Sequence, residues 1–354
     1  MIYVRVSCEG VDGWGECGAL PEGTVVDPPL PELWRALIGG GVGRLFQATR
    51  SRDGVLPPAA QVARLYDTTA VGRMAAAAME MAVLDAELRV TGASLASRLG
   101  TTGAAVPTGA LLGIPADRDP GLLAAAAAEL AARGFARLRI KIEPGWDVAP
   151  VQAVRDAVGR LPLQADANGA YRMDVAAGDR ANARRLADLD PFALDCVEQP
   201  LPPGDLAALA SLAERLATPV GLDESLTSLR RVVDAMRYGA CEVACLKPAR
   251  LGGILATRQA QEACRSAGVP AFVGGFFDTG LARAAHVALA GLPGFTLAGD
   301  LSDPSDYLDV DPCGYRPPVG GVAVPPEDPG VGPAPHPAVL AERTGAVERF
   351  VYRP

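Results

Sequence analysis

The sequence predicts an α/β protein built on a (β/α)8-type barrel, in the modified form with an N-terminal α+β capping domain. From about residue 104 onward, short β-branched runs alternate with Ala-rich and amphipathic stretches. Eight such runs can be counted, and eight strands with helices between them favour a barrel over an open doubly wound sheet. The chain of 354 residues is also long enough for a large barrel and a second domain.

The predicted barrel domain occupies residues 104–302. Its strands are Val106–Ile114, Ala136–Ile142, Leu161–Ala167, Leu194–Gln199, Pro219–Glu224, Cys241–Lys247, Val269–Gly275 and Phe295–Leu301. The helices predicted between them are Gly121–Arg133, Ala149–Arg160, Ala177–Leu189, Asp205–Leu216 and Gly253–Ala267.

Residues 1–103 have a different pattern and predict the capping domain. Met1–Ser7 and Gly13–Cys17 resemble a small antiparallel meander, and Arg73–Arg98 is expected to be mostly helical. The apolar face of that helix consists of Met74, Ala77, Met81, Leu84 and Leu88. After the barrel, residues 303–354 begin with a Pro-, Gly- and Asp-rich irregular stretch, and we expect this tail to pack back on the cap.

Composition excludes several classes of function. A net charge of −8 and a pI near 5.0 argue against a nucleic-acid partner, because phosphate binding needs a positive surface. The sequence contains no apolar run of about 18 residues, the length that would predict a membrane span, and the N-terminus lacks a signal-peptide pattern. Seven cysteines without CxxC spacing indicate reduced thiols, which favours a cytoplasmic location.

Lysine usage points to the first candidate site residues. Of 33 basic residues, two are Lys, at positions 141 and 247, and the other 31 are Arg. Arg stays protonated at any ordinary pH, whereas a buried Lys can lose its proton and act as a base. Both lysines fall at predicted carboxyl ends of strands, where barrels of this type place their working residues. We therefore interpret Lys141 and Lys247 as an acid/base pair rather than as surface lysines.

Three carboxylates fall at the ends of three successive predicted strands between these lysines. They are Asp166, Glu198 and Asp223. Like charges that converge at one barrel mouth repel each other unless a cation neutralises them, and oxygen ligands with no His or Cys favour Mg²⁺ or Mn²⁺ over Zn²⁺. The sequence predicts a divalent-metal site here, with Asn168 and Glu224 as additional ligands or supporting residues.

Together these residues predict a reaction. A metal that binds a substrate carboxylate stabilises the enolate formed when the neighbouring C–H bond is broken, and a lysine with a lowered pKa can take the proton. Arg139 lies two residues before Lys141 on the same strand face, and we expect its charge to depress the lysine pKa. Two lysines on the second and sixth barrel strands would approach the substrate carbon from opposite sides.

Longer stretches of the chain resemble the enolase superfamily, in its muconate-cycloisomerase-like branch, and more narrowly the o-succinylbenzoate synthase / N-acylamino-acid racemase family. The matching stretches are Trp14–Glu16, Met81–Asp85, Arg139–Asp147, Gln164–Asn168, Val197–Pro200, Leu222–Ser225, Leu246–Gly253 and Leu292–Ser302, the last of which includes Asp300. The resemblance implies the same roles for the two lysines and three carboxylates. It also implies a small-molecule carboxylate substrate and a homo-oligomer.

The chain departs from this family at several positions. The usual Lys-x-Lys of the second strand is Arg139-Ile-Lys141, and Cys245 stands where relatives often have Asn. The stretch Gly274–Gly280 replaces a Gly-Gly-Met-Leu-Glu-Ser-Gly segment that lines the substrate pocket in relatives. Its candidate pocket residues are Gly275, Phe276, Phe277, Asp278 and Thr279. The two Phe residues either change the substrate shape or are a packing exchange without effect.

The beginning of the chain also differs, since it starts inside what resembles the second strand of relatives. Either the start lies upstream, or the cap is trimmed and the site is more open.

Several activities fit this set of residues. We favour N-acylamino-acid (N-succinylamino-acid) racemase, with o-succinylbenzoate synthase as the main alternative. Dipeptide epimerisation, muconate-type lactonisation and a non-catalytic carboxylate-binding barrel stay open. A His–Asp dyad of the mandelate-racemase kind and a Ser–His–Asp hydrolase are disfavoured, because neither His286 nor His336 is at a predicted strand end.

Overall fold

The computed structural model describes residues 1–172 and 181–353. Its strands are β1 (Ile2–Cys8), β2 (Val11–Cys17), β3 (Val106–Leu112), β4 (Arg137–Lys141), β5 (Leu163–Asp166), β6 (Cys196–Glu198), β7 (Val220–Leu222), β8 (Val243–Leu246), β9 (Ala271–Val273), β10 (Gly299–Asp300) and β11 (Val322–Ala323).

Helices surround these strands. They are α1 (Leu30–Ala36), α2 (Val42–Arg50), α3 (Ala59–Val62), α4 (Ala70–Thr91), α5 (Leu95–Leu99), α6 (Pro120–Ala132), α7 (Val148–Val158), α8 (Ala181–Ala187), α9 (Leu206–Ala213), α10 (Leu229–Arg237), α11 (Pro248–Leu251), α12 (Ile254–Ala267), α13 (Gly280–Ala290) and α14 (Pro337–Arg343). A π-helical segment, Leu37–Gly41, joins α1 to α2. No helix in the described part of the chain is long and apolar enough to cross a membrane.

The central feature is a nearly closed barrel of eight parallel strands, which confirms the predicted fold. Strands β3 to β9 are neighbours in chain order, and β10 returns to pair with β3. A bridge between Ala271 and Phe295 brings the two ends of the sheet together. Strands β5 to β9 are buried along their whole length, because helices cover the outside and side chains fill the inside. This double burial explains their continuous apolar runs.

All eight predicted barrel strands contain an observed strand, and the observed strands are shorter. The predicted helices correspond to α6, α7, α8, α9 and α12, although residues 177–180 of the third one lie outside the described residues. Helix α13 was not predicted. It is buried on all sides and therefore lacks the alternation of apolar and polar faces on which helix recognition depends. Helix α10, also missed, buries only Val232 and Ala235.

The N-terminal residues form a hairpin that packs on one long helix. Strands β1 and β2 pair antiparallel, with Ile2 opposite Cys17, and β2 lies along α4. Gly15 permits this close approach, since a Cβ there would overlap the carbonyl oxygen of Ala78 on α4. The predicted helix over residues 73–98 is two helices, α4 and α5, separated where Gly92 adopts a left-handed conformation.

The C-terminal residues touch both parts of the molecule. Strand β11 pairs antiparallel with barrel strand β3. Further on, the Val331 amide donates to Asp85 on α4 at 2.7 Å, and Tyr352 packs against Phe46 on α2 with ring centroids 5.6 Å apart. The domain boundaries at residues 103 and 303 stay a prediction.

Replacing Gly15 by Ala should destabilise the protein by about 1–3 kcal/mol, because the added methyl group must push β2 away from α4. The matched control is Gly43→Ala on exposed α2, where an added Cβ meets nothing within 4 Å. That change should stabilise the helix by about 0.5–1 kcal/mol. Thermal unfolding measures both variants, and an unchanged midpoint for Gly15→Ala would contradict the packing described above.

Helix α13 buries a histidine whose protonation is coupled to folding. Desolvation lowers the pKa of His286 from 6.5 to about 4, aided by Arg283 and opposed by Asp278 and Asp300. The His286 Nδ1 lies 3.5 Å from Asp278 Oδ2. Since the folded-state pKa is the lower one, the unfolded chain binds the proton more readily between pH 6.5 and 4.

The free energy of unfolding should therefore fall as pH drops through this window, with a contribution from His286 of about 3 kcal/mol at completion. Urea unfolding at pH 7 and pH 4.5 measures the change. In His286→Gln, which has no titrating ring, the loss between the two pH values should be smaller. Equal losses in the two proteins would show that His286 is not the group responsible.

Candidate active site

The structure brings the five principal candidate residues to one end of the barrel. Lys141, Asp166 and Glu198 are the last residues of β4, β5 and β6. Strand register places Lys141 beside Asp166, and Asp166 beside Glu198. Asp223 and Lys247 directly follow β7 and β8. Five successive strands thus present these side chains at their carboxyl ends, which is the end where barrels of this type carry their chemistry.

The three carboxylates are removed from water. The exposed fractions of Asp166, Glu198 and Asp223 are 1%, 0% and 2%. Among the described residues, the group whose ligand atoms lie within 4.8 Å of one another comprises Glu198, Asp223 and the Cys245 thiol. Asp166 lies beside this group, and its Oδ2 is 3.9 Å from Arg139 Nη1, which also contacts Glu198.

Burial and charge act differently on these carboxylates. Desolvation raises the pKa of Glu198 to about 8, although Arg139 opposes the shift. Burial also disfavours the charged form of Asp223. There the Arg250 guanidinium and the Lys247 ammonium outweigh burial and hold the pKa of that carboxyl well below its usual range. Burial and neighbouring charges thus shift the pKa values of these two carboxyls in opposite directions.

Each lysine is paired with one of the carboxylates. Lys141 Nζ donates to Asp166 Oδ2 at 2.7 Å and to Asn168 Oδ1 at 2.5 Å. Lys247 Nζ lies 2.8 Å from Asp223 Oδ2. Burial lowers the pKa of Lys247, but the Asp223 carboxylate outweighs burial and raises the pKa above the ordinary value.

Arg139 faces the carboxylates of the barrel interior. Its Nη1 donates to both oxygens of Glu198, at 2.8 and 2.7 Å, and its Nη2 donates to Asp300 Oδ2. Asp300 also accepts from Arg137 at 2.6 Å, so this carboxylate on β10 bridges two buried arginines. Arg137 was not singled out from the sequence, although strand alternation places it on the same face as Arg139 and Lys141.

The loop after β9 brings one aromatic ring to the site. The Phe276 ring centroid lies 4.8 Å from Lys247 Nζ and 5.5 Å from the central guanidinium carbon of Arg250. Phe277 is 52% exposed and packs edge-on against Tyr307. Of the two aromatic residues, Phe276 is the one placed against a candidate catalytic side chain.

Other residues of this loop turn away from the site. Gly275 leaves no room for a side chain, since a Cβ there would overlap the Asp278 carboxylate. Asp278 is buried, accepts from the Phe276 amide at 2.9 Å and faces His286. Thr279 is also buried, and its amide donates to Glu16 on β2 at 2.7 Å. Asp278 and Thr279 thus hold the loop in place through their contacts with His286 and Glu16.

Two charged residues that form ion pairs at the site were not predicted from the sequence. Arg250 is buried on α11, where its Nη1 donates to Asp223 Oδ1 and its Nη2 donates to Asp27 Oδ2 at 2.7 Å. Its position three residues after Lys247 was an available signal. Asp27 lies in an irregular N-terminal loop, where no pattern marks a buried carboxylate.

Gln199 was also missed, although it follows Glu198 directly. Its side chain is fully buried, donates to Ser225 Oγ at 2.9 Å and accepts from the Ser225 amide at 3.0 Å. Its backbone φ is +40°, and Asn168 after β5 has a φ of +42°. Two non-glycine residues in left-handed conformations beside the site carboxylates indicate turns that the surrounding structure imposes.

The residues present fit a divalent cation. Glu224 Oε1 accepts from Asn168 Nδ2 at 2.9 Å, while its Oε2 is buried and has no hydrogen-bond partner among the described residues. An unpartnered buried carboxylate oxygen beside Asp223 is a site for positive charge. The donor atoms are mainly carboxylate oxygens, as hard cations prefer, with the softer Cys245 sulfur adjacent.

Comparisons with known proteins agree with this geometry. Residues 122–339 match the family described as enolase C-terminal domain-like. An N-succinylamino acid racemase from Amycolatopsis is 40% identical over 98% of this chain and 90% of its own length. An o-succinylbenzoate synthase from Geobacillus kaustophilus is 34% identical over 86% of this chain and 78% of its own.

The comparison of folds agrees with the comparison of sequences. A solved structure of an enolase-superfamily member from Listeria innocua superposes with a TM-score of 0.87 at 28% identity, over 98% of this chain and 89% of the other. Members of this superfamily are enzymes that use a divalent metal ion. The family match and the relatives at 40% and 34% identity place the chain in the enolase superfamily, and it is an enzyme of that superfamily.

Proposed function

We propose that this enzyme is an N-acylamino-acid racemase, acting on N-succinylamino acids, that removes and returns the proton next to the substrate carboxylate. The observation that carries the proposal is the pairing of Lys141 on β4 with Asp166 and of Lys247 after β8 with Asp223, because β4 and β8 lie on either side of β5, β6 and β7 in the strand order of the barrel. The 40% identity to a racemase over nearly the whole chain supports this choice.

In this reaction the two lysines exchange roles. One neutral lysine takes the α-proton on its Nζ, and the electron pair of the broken C–H bond moves into the substrate carboxylate to give an enolate. The other lysine, as its ammonium, then gives a proton to the opposite face of the same carbon. A general acid or base placed in this way contributes about 10²- to 10⁴-fold to the rate.

The proposed metal ligands are Asp166, Glu198 and Asp223, with Mg²⁺ or Mn²⁺ as the cation. When bound, the cation would neutralise these carboxylates, weaken their hold on the lysine protons and supply positive charge for the substrate carboxylate. Asn168 and Glu224 lie beside the ligands as supporting residues or additional ligands.

Other predicted residues shape and support the site. Arg139 and Asp300 hold Glu198 in place through the guanidinium group between them. Phe276 forms the wall of the substrate pocket beside Lys247, and Phe277 lies at the exposed rim. Gly275, Asp278 and Thr279 act through the shape of the loop rather than through contact with the substrate.

One observation favours o-succinylbenzoate synthase as the second candidate. In that reaction Lys141 would remove the proton and assist loss of hydroxide, while Lys247 would stabilise the enolate by its charge alone. Asp223 keeps the pKa of Lys247 above its ordinary value, which suits a lysine that remains protonated. An o-succinylbenzoate synthase at 34% identity is also among the relatives.

We further propose that the enzyme is a cytoplasmic homo-oligomer. The cysteines at positions 8, 17, 196, 241, 245, 264 and 313 have no CxxC spacing, which favours reduced thiols and a reducing compartment. The oligomer follows from the family resemblance, and gel filtration with light scattering would test it.

Adding Mg²⁺ or Mn²⁺ to metal-free protein should raise the midpoint of thermal unfolding. At a free cation concentration of about a hundred times Kd, the free energy of unfolding should increase by about 2.7 kcal/mol. The metal-dependent increase should be lost in Asp223→Asn and Glu198→Gln, and retained in Glu342→Gln, an exposed control. Comparing each variant with and without metal separates metal binding from direct effects on folding. If the cation did not shift the midpoint of the unaltered protein, the metal site would be excluded.

Lys141→Ala and Lys247→Ala should each reduce racemisation of N-succinylamino acids by at least about 10²-fold in both directions. Each variant keeps one base, so in D₂O each should retain α-proton exchange with one enantiomer only, and the retained enantiomer should differ between the two. NMR of the α-proton in separate D and L samples measures this.

The unaltered protein and both lysine variants, assayed with a second substrate, distinguish the racemase from the synthase. A synthase would turn over the cyclohexadiene precursor of o-succinylbenzoate, and both lysine variants would lose that turnover. Turnover of the precursor without exchange of any N-acylamino acid would replace the racemase proposal by the synthase.

A further inference from the structure

Among the barrel helices whose preceding residue the structure describes, the short helix α11 and the longer helices α12 and α13 begin without a side-chain cap from that residue. The first N–H groups of a helix lack partners within the helix, and a Ser, Thr, Asp or Asn directly before the helix commonly accepts from them. Helices α6, α7, α9 and α10 follow this rule, with the side chains of Asp119, Asp147, Asp205 and Ser228 as acceptors. Neither Gly253 before α12 nor Thr279 before α13 provides such a side-chain cap.

Glu80 on α4 supplies the missing cap of α12. Its Oε2 accepts from the Ile254 amide at 3.1 Å and its Oε1 accepts from the Leu255 amide at 2.8 Å. Gly253 has a φ of +131°, and a Cβ there would lie 2.7 Å from the carboxyl carbon of Glu80. The glycine is therefore needed for the carboxylate to reach the helix end.

Glu16 on β2 does the same for α13. Its Oε1 accepts from the Thr279 amide at 2.7 Å. Its Oε2 accepts from Thr279 Oγ1 at 2.5 Å and from the Ala282 amide at 3.2 Å. Both Glu16 and Glu80 are buried, so water cannot replace them as acceptors.

The two helices capped from a distance follow the segments that carry Lys247 and Phe276. Lys247 precedes α11, and α12 begins after two glycines that follow α11. The loop that carries Phe276, which stacks on Lys247, leads into α13. By contrast, the locally capped helices need nothing from the N-terminal residues to complete their first turns.

We propose that Glu16 and Glu80 are positioning residues, which set Phe276 and Lys247 for the reaction by capping α13 and α12 from the N-terminal part of the chain. Because these contacts span 263 and 174 positions, the caps exist only when the N-terminal residues are docked on the barrel. The link to catalysis rests on the proposed function, whereas the capping itself can be measured without activity.

The test uses Glu80→Gln and Glu16→Gln in the full-length protein, with exposed Glu32→Gln on α1 as the matched control. A Gln amide group points N–H toward a backbone N–H and leaves one donor without a partner. Loss of such a cap typically corresponds to about a five- to thirtyfold change in a local opening equilibrium.

Hydrogen exchange read by mass spectrometry or NMR should show a crossed pattern. Glu80→Gln should speed exchange at Ile254 and Leu255 by about five- to thirtyfold and leave the start of α13 unchanged. Glu16→Gln should speed exchange at Thr279 and Ala282 and leave α12 unchanged. Equal acceleration at both helices would indicate general destabilisation and would overturn the proposal, as would no change at either.

Kinetics supply a readout that a purely structural role would not move. Glu80→Gln should slow α-proton exchange chiefly for the enantiomer whose exchange Lys247→Ala abolishes. Glu16→Gln should raise KM more than it lowers kcat, because it loosens the Phe276 wall. Equal slowing of both enantiomers in Glu80→Gln would exclude the positioning role, even with the expected hydrogen exchange.

Two further variants keep the proposal testable if Glu80→Gln or Glu16→Gln fails to fold. Gly253→Ala crowds the Glu80 carboxylate, and Thr279→Val removes one hydroxyl donor to Glu16, so each should give the hydrogen-exchange change of its helix. A crossed exchange pattern in a protein with no activity on any N-acylamino acid would leave the caps standing and reject the proposed function.

Discussion

Burial of several carboxylates at one barrel mouth is the constraint on which the rest of the structure depends. Asp166, Glu198 and Asp223 have almost no contact with water, and isolated buried charges of one sign cost several kcal/mol each. Lys141, Lys247, Arg139 and Arg250 lie against them as counter-charges. In the proposed function the same residues serve as the acid/base pair and the oxygen ligands, so the charges that are costly to bury are those assigned to the chemistry.

The need for counter-charge extends beyond the barrel. Arg250 binds Asp223 on one side and Asp27 of the N-terminal region on the other, so part of the site's charge balance depends on residues far away in the chain. Glu16 and Glu80 make a related connection through helix ends. Desolvation raises the pKa of both carboxyls to about 7, which reflects how completely the docked N-terminal residues exclude water from this boundary.

Side-chain contacts in the site depend on distances that the sequence pattern does not contain. The pKa of Lys247 is raised, because Asp223 lies 2.8 Å away and outweighs burial. Arg139 contacts Glu198 and Asp300, although the strand pattern only suggested an effect on Lys141. Among the described residues the group of ligand atoms within 4.8 Å of one another contains Cys245 beside Glu198 and Asp223, and Asp166 stays a predicted ligand. In each case strand alternation shows which side chains point inward, and through-space distances decide which of them meet.

The sequence by itself determined the barrel, its strand order and the five side chains at the strand ends. These follow from local patterns: apolar runs that are buried on both faces, and charged residues at the point where each run stops. Only the tertiary structure decided the partner of Arg139, the burial of Asp278 behind its loop and the caps from Glu16 and Glu80. Those contacts join residues distant in sequence, and their energies depend on desolvation, which exists only once the chain is packed.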